Sequence, residues 1–430
     1  MNQSLTVLMI AVSLFGSCKR VGLEQEIDPN GLYTPYLTSV RSDVQVVLKW
    51  GKPVCAFCGS CPCPELNPDH FEILFSDTGT SDLKTYTTVS ANVFEATINN
   101  LVNGKSYYFA IKAVISGKKY TRSAPIMVIP DTPENISPLF PTIDKNTQYG
   151  SWSPDRLSVA YDGDYFWNNG NNLARSVFVY ISKKKDSDLI AKNASSPEWS
   201  PLENRIVYQT DDGEVSNSQG HRPSHIAVCD LDANTILRLT KGGSFNFLPS
   251  WSPDGAWVAY LSDQAKGKEF NIWKIVSTGG TPIQVTSDFN DLGELAIPED
   301  RSPETLSWSK DGKNIAFSRL TKSGQVVNKD IYSVSSGSGY KTEIVTSPWN
   351  DYCPAYSPDG KAMAFISDRS GSAEIWTMEL QTKKLKQVTG STGKWIYENS
   401  GRIEWSKSGD KILFTGNSDN FSTLYSVDVR

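Results

Sequence analysis

The chain has 430 residues, 39% of them hydrophobic and 21% charged, which suits cored globular units and argues against a disordered polymer. A net charge of −5 without any Lys/Arg-rich stripe excludes nucleic acid as a partner, because phosphates demand a basic surface. Aromatic residues reach 11%, including 12 Trp, a surplus that needs a structural reason.

The N-terminus reads as an export signal. An apolar run from Leu5 to Phe15 is too short to span a bilayer but suits the apolar core of a signal peptide. Gly16 and Ser17 then place small residues before Cys18. This segment resembles a bacterial lipoprotein signal. The resemblance implies that residues 1–17 are removed and that Cys18 carries a lipid anchor. The protein would then sit in the bacterial cell envelope, on the periplasmic or surface side of the outer membrane. The alternative is an ordinary secretory signal with an unmodified Cys18. Residues 18–33 follow as a linker.

Residues 34–130 predict a separate all-β unit. Val44, Val46, Leu48 and Trp50 alternate along one strand, and "FEILFSD", "KTYTTV", "FEATINNL", "SYYFAIKAV" and "APIMVIP" continue the series between turn residues. Leu101, Gly104 and Tyr107, leading into alternating Phe109, Ile111 and Ala113, resemble the fibronectin type III pattern, with Asn103 where that family has Pro. The resemblance implies that Trp50 is the core tryptophan of the second strand. It also implies that the Tyr107 hydroxyl bonds back to nearby backbone. Four cysteines, Cys55, Cys58, Cys61 and Cys63, follow Trp50 in the next connection. In an exported protein this spacing reads as two local disulfides, with a metal site or free thiols as alternatives. Cys229 and Cys353 fall in or beside later strands and read as buried thiols.

Residues 136–430 are a set of repeats. "GSWSPDRLSVAY", "PEWSPLENRIVY", "PSWSPDGAWVAY", "LSWSKDGKNIAF", "PAYSPDGKAMAF" and "IEWSKSGDKILF" align on Trp152, Trp199, Trp251, Trp308, Tyr356 and Trp405, which lie 47 to 57 residues apart. Each unit reads as four short strands. The first ends at the aromatic anchor, and Ser-Pro-Asp-Gly turns the chain into the second. Four strands per period predict a propeller blade, and six copies predict six blades. The repeats resemble the TolB-like Pro-Asp family of β-propellers, with Leu202 and Ser408 replacing the turn Asp. Since the last unit ends after its third strand, its outer strand is expected from "ISPLFPTID", closing the ring like a clasp. The fold class is therefore all-β: a fibronectin type III-like sandwich followed by a six-bladed propeller.

Chemistry is sparse. Three histidines exist; His221 and His225 have metal-like spacing, but a proline-containing loop separates them instead of a helix. No G-x-S-x-G elbow occurs, and neither cofactor nor metal is expected. A surface remains. In a propeller, the loops entering the inner strands and those joining strands two and three share one face. On that face the sequence puts Tyr165, Trp167, Phe247, Trp349, Tyr352, Trp395 and Tyr397, flat rings beside polar residues that suit stacking on a sugar or gripping a peptide. The expected function is a monomeric, membrane-anchored binding or scaffold protein whose face holds a protein or glycan partner. The alternative is a lyase or glycosidase-like enzyme using Asp162, Asp164, Glu294 or Glu299 near the channel.

Overall fold

The computed structural model describes residues 36–52, 67–115, 118–139, 146–167, 172–211, 223–265, 270–287, 305–323, 326–390, 402–418 and 421–429. Among them every regular element is a strand except one 3-10 turn, Thr80–Asp82.

The N-terminal part forms two facing antiparallel sheets. One contains β1 (Leu37–Ser42), β2 (Gln45–Trp50) and β5 (Glu95–Ile98). The other runs β4 (Lys84–Ser90), β3 (His70–Ser76), β6 (Tyr107–Ile115), β7 (Lys118–Arg122), with β8 (Ile126–Val128) also paired to β6. Period-two alternation drives this arrangement. In β2, Val46, Leu48 and Trp50 point inward to meet Phe71, Ile73, Phe109 and Ile111 of the opposite sheet in one core. Trp50 packs edge-on against Phe71, ring centroids 5.9 Å apart. The Tyr107 hydroxyl accepts the Val102 N–H at 2.9 Å, so the expected backbone tie is present. Asn103 holds the β1–β2 turn, because its side chain accepts the Val44 N–H and donates to Asp43. Val44 takes φ 52° in that turn.

Six four-stranded antiparallel sheets follow. Blade one consists of Gly150–Trp152, Ser158–Trp167, Asn172–Ile181 and Asp186–Lys192. Blades two, three and four lie within residues 194–238, 246–284 and 307–345. Blade five consists of Asp351–Tyr356, Ala362–Ser367, Glu374–Glu379 and Leu385–Gln387. Blade six has Glu404–Trp405, Lys411–Ser418 and Phe421–Asp428, and its outer strand is β9 (Ile136–Pro138). The register Tyr425↔Pro138, Ser426↔Ser137 and Val427↔Ile136 confirms the expected clasp.

The repeat residues hold the ring together in two ways. Within a blade, the turn Ser donates to the turn Asp, which accepts a following backbone N–H; Ser153–Asp155, Ser252–Asp254, Ser309–Asp311 and Ser357–Asp359 all do so. In blade six, where Ser408 replaces Asp, Asp410 takes over the Ser406 hydroxyl. Between blades, the residue before each anchor faces the next anchor. Ser151, Glu198, Ser307 and Glu404 accept the backbone N–H of Trp199, Trp251, Tyr356 and Trp152 through their side chains. The indoles of Trp251, Trp308 and Trp405 donate to the carbonyls of Glu198, Ser250 and Ala355. Every blade junction is covered by one of these bonds, which explains part of the tryptophan surplus.

Candidate functional site

The two units are joined through the loop face of the propeller. The Trp349 indole donates to Pro125 O at 3.1 Å, and Met127 N–H donates to Arg369 O. Ser39 Oγ donates to Ser370 O at 2.8 Å. Met127 and Ile129 complete an apolar cluster with Trp349, Met363, Phe365 and Trp376. The short hairpin of blade five makes room for this contact. Its paired strands hold six residues each, whereas those of blades one and four hold ten. Gly371, at φ +89°, lets that hairpin lie against the sandwich, since a Cβ there would be 2.3 Å from Leu37 O.

A buried charge cluster lies under the same contact. Arg41, 2% exposed, pairs with Glu134 at 3.2 Å and donates to Val388 O at 2.8 Å. Arg41 N–H also donates to Gly390 O, and Gly390 N–H donates to Glu134. Desolvation lowers the Arg41 pKa, which its acidic neighbours only partly oppose. Burial pushes nearby Glu374 up to about 7, although the Thr389 and Ser372 hydroxyls bond its carboxylate. Arg369 is likewise enclosed: its guanidinium pairs with Asp351 at 2.5 Å and stands 5.1 to 5.7 Å from the ring centres of Phe365, Trp376 and Trp349.

The central channel is spanned from side to side. Arg402 of blade six reaches Pro197 O and Pro249 O, at 3.3 and 2.7 Å, and pairs with Glu198 at 2.9 Å. Tyr149 extends from blade one toward Ser196 and the core around Leu248, and burial raises its pKa well above the phenol range. Burial and neighbouring Glu198 push Glu404 up to about 7. Asp162 accepts N–H groups from Gln148, Tyr149 and Ser196 and pairs with Arg175. Asp164 accepts from Asn146.

The expected aromatic face is therefore divided. Trp349, 7% exposed, belongs to the contact with the sandwich, and Tyr352, 8% exposed, belongs to the core between blades five and six. Phe247 is half-buried and packs edge-on against Phe270 at 5.0 Å. Tyr165 and Trp167 lie on the long blade-one hairpin, paired with Ala174 and Asn172, and their side chains lie outside the described ones. Trp395, Tyr397, Cys18, Cys55, Cys58, Cys61, Cys63, His221, Glu294 and Glu299 lie outside the described residues. Cys229 and Cys353 are buried. Sequence reasoning missed Arg41, Glu134 and Arg402. Glu198 and Glu404 did carry a signal, because the same column of the repeat otherwise holds Ser151, Ser250, Ser307 and Ala355.

Six clasped four-stranded blades define an all-β propeller protein. Residues 301–430 match the TolB beta propeller domain, and residues 217–341 match the dipeptidyl peptidase IV N-terminal region. The protein Atu1656 of Agrobacterium fabrum is 32% identical over 266 residues, covering 61% of this chain and 80% of that protein. A TolB homolog of Chlorobium luteolum is 27% identical over 183 residues, covering 41% of this chain and 36% of the homolog. Among solved structures, TolB from Acinetobacter baumannii aligns with a TM-score of 0.46 at 14% identity, covering 76% of this chain and 77% of that one. The chain belongs to the TolB-like β-propeller family.

Proposed function

We propose that the protein is an exported, lipid-anchored binding or scaffold protein of the bacterial envelope. A fibronectin type III-like unit, approximately residues 34–130, is fixed on part of the loop face. The open remainder of that face holds a protein or glycan partner. The strand order β1-β2-β5 facing β4-β3-β6-β7 and the Tyr107 tie support the fibronectin-like reading. Resemblance to TolB homologs supports an envelope location. Cys18 is the lipid attachment point, and Cys55, Cys58, Cys61 and Cys63 form two disulfides in this reading.

The observation that carries binding over catalysis is the state of Asp162. Three backbone N–H groups and Arg175 occupy its carboxylate, which makes it a loop tie with no lone pair left for proton transfer. The binding residues in this reading are Tyr165 and Trp167 on the blade-one hairpin, with Trp395 and Tyr397. Glycan arrays and crosslinking in envelope extract, using wild type and Trp167→Ala/Trp395→Ala, test this. The expected result is a specific ligand recovered unchanged and lost in the folded variant. Turnover of the ligand refutes the binding class; unchanged affinity of the variant refutes the face. Labelled palmitate incorporation, expected in wild type and absent in Cys18→Ser, tests the anchor.

A further inference from the structure

Three charged groups from both units are enclosed under the joint, and their charges do not balance. Arg41 comes from β1, Glu134 from the connection just before β9, and Glu374 from the third strand of blade five. Arg41 and Glu134 are each 2% exposed, and Glu374 is 6% exposed. Arg41 Nη2 serves Glu134 and Val388 O, at 3.2 and 2.8 Å. Glu374 has hydroxyls where Glu134 has the guanidinium: Thr389 at 2.5 Å and Ser372 at 3.1 Å. One cation cannot neutralise two enclosed carboxylates. With both ionised, the pocket would hold a net negative charge with little water to solvate it.

The surrounding groups add to the imbalance. Asp131, one-third exposed, stands at the rim, 4.0 Å from Arg41 Nη1. Within blade five, Ser367 separates Glu374 from Asp351 in the strand register, and Arg369 is committed to Asp351. Asp368 and, from blade four, Asp330 stand close enough to Asp351 to repel it, and accept the N–H groups of Asn350 and Ser347. A single proton on Glu374 is the least disruptive way to neutralise the enclosed trio. Burial, reinforced by repulsion from Glu134, pushes Glu374 up to about 7 against its hydroxyl partners and Arg41.

We propose that the Arg41–Glu134–Glu374 cluster is a pH-gated latch, which closes the joint while Glu374 carries a proton and loosens it when that proton leaves. Opening withdraws Arg41 and Glu134, admits water to Glu374 and uncovers Trp349, Met127 and Ile129. The carboxyl then returns toward its ordinary value of 4.5. A group raised in the closed state favours closure most at and below pH 4.5, and that contribution is lost as pH rises to about 7. The joint is therefore tight in acid and looser above neutrality, whatever the loop face binds.

Hydrogen exchange on the full chain tests this. The Arg41 and Met127 amides donate across the joint to Gly390 O and Arg369 O, whereas the Leu239 amide donates within blade two to Ile226 O. Protection factors, corrected for the intrinsic pH dependence of exchange, separate opening of the joint from global unfolding. Between pH 5 and 8 the Arg41 and Met127 factors should fall about tenfold or more relative to Leu239. In Glu374→Gln they should be level across that range. In Glu134→Gln the midpoint of the fall should move to lower pH, because Arg41 is then left to Glu374; loss of a merely structural contact would lower protection at every pH without moving the midpoint. Level protection in wild type, an equal fall at Leu239, or the wild-type slope in Glu374→Gln overturns the proposal. So does an unmoved midpoint in Glu134→Gln, which carries the test alone if Leu239 shows that Glu374→Gln has not folded.

Discussion

Replacing Arg41 by Met tests whether the two units form one body. Arg41 and Glu134 are each 2% exposed, and the arginine also holds Val388 O. Breaking a buried pair by removing one partner costs about 3–5 kcal/mol, because the remaining charge has been desolvated without its counterion. The lower end applies here. Methionine keeps most of the apolar volume, and Arg41 Nε and Nη1 have no hydrogen-bond partner whose loss would add to the cost. We therefore expect about 3 kcal/mol for Arg41→Met. Replacing both members by Arg41→Met/Glu134→Gln should return stability to within about 1 kcal/mol of wild type, since the uncompensated carboxylate is gone. Urea unfolding gives both numbers, and limited proteolysis of the 129–135 connection reports undocking. A cost under about 1 kcal/mol for the single variant, or no recovery in the double, would show that the pair does not hold the units together.

Three further outcomes follow from the same contacts. Gly371→Ala puts a Cβ 2.3 Å from Leu37 O and 2.9 Å from Thr38 Cα, at a φ of +89° that costs about 1–3 kcal/mol for a side chain. Hydrogen exchange at the Met127 amide, which donates to Arg369 O, should therefore accelerate while the blade-two amides stay protected. Glu374 and Glu404 are both raised to about 7 from an ordinary value of 4.5, so the folded state binds the extra protons. Their contribution is then greatest at and below pH 4.5 and declines as pH rises to about 7, by a few kcal/mol in total. The urea midpoint of wild type should fall over that window, and that of Glu374→Gln/Glu404→Gln should fall less. Trp405→Phe should cost about 1 kcal/mol more than Trp199→Phe, because the Trp405 indole donates to Ala355 O at 3.0 Å while Trp199 Nε1 has no partner.

Local rules made the propeller legible in the sequence. Strand alternation, Ser-Pro-Asp-Gly turns and aromatic anchors act over a few residues, so each blade announces itself within one period. The clasp was also legible, because a last repeat lacking its fourth strand demands one from elsewhere in the chain. Even the Tyr107 tie to Val102 spans only five residues.

The joint between the units was not legible. Ser39 and Ser370 are 331 residues apart, Arg41 and Val388 are 347 apart, and neither pair shows a period or motif. Trp349 looks like an open ligand contact in sequence because a loop aromatic carries no mark of what covers it. Only the docked sandwich makes it a buried donor to Pro125. Arg402 is similar: a lone arginine before an anchor strand becomes a crossbar only when blades two, three and six converge on one axis. The sequence alone determined the blades, their number and their closure, since short-range turns and alternation specify them. Tertiary structure decided which loop residues the sandwich covers and what fills the channel, because those outcomes depend on surfaces meeting across hundreds of residues.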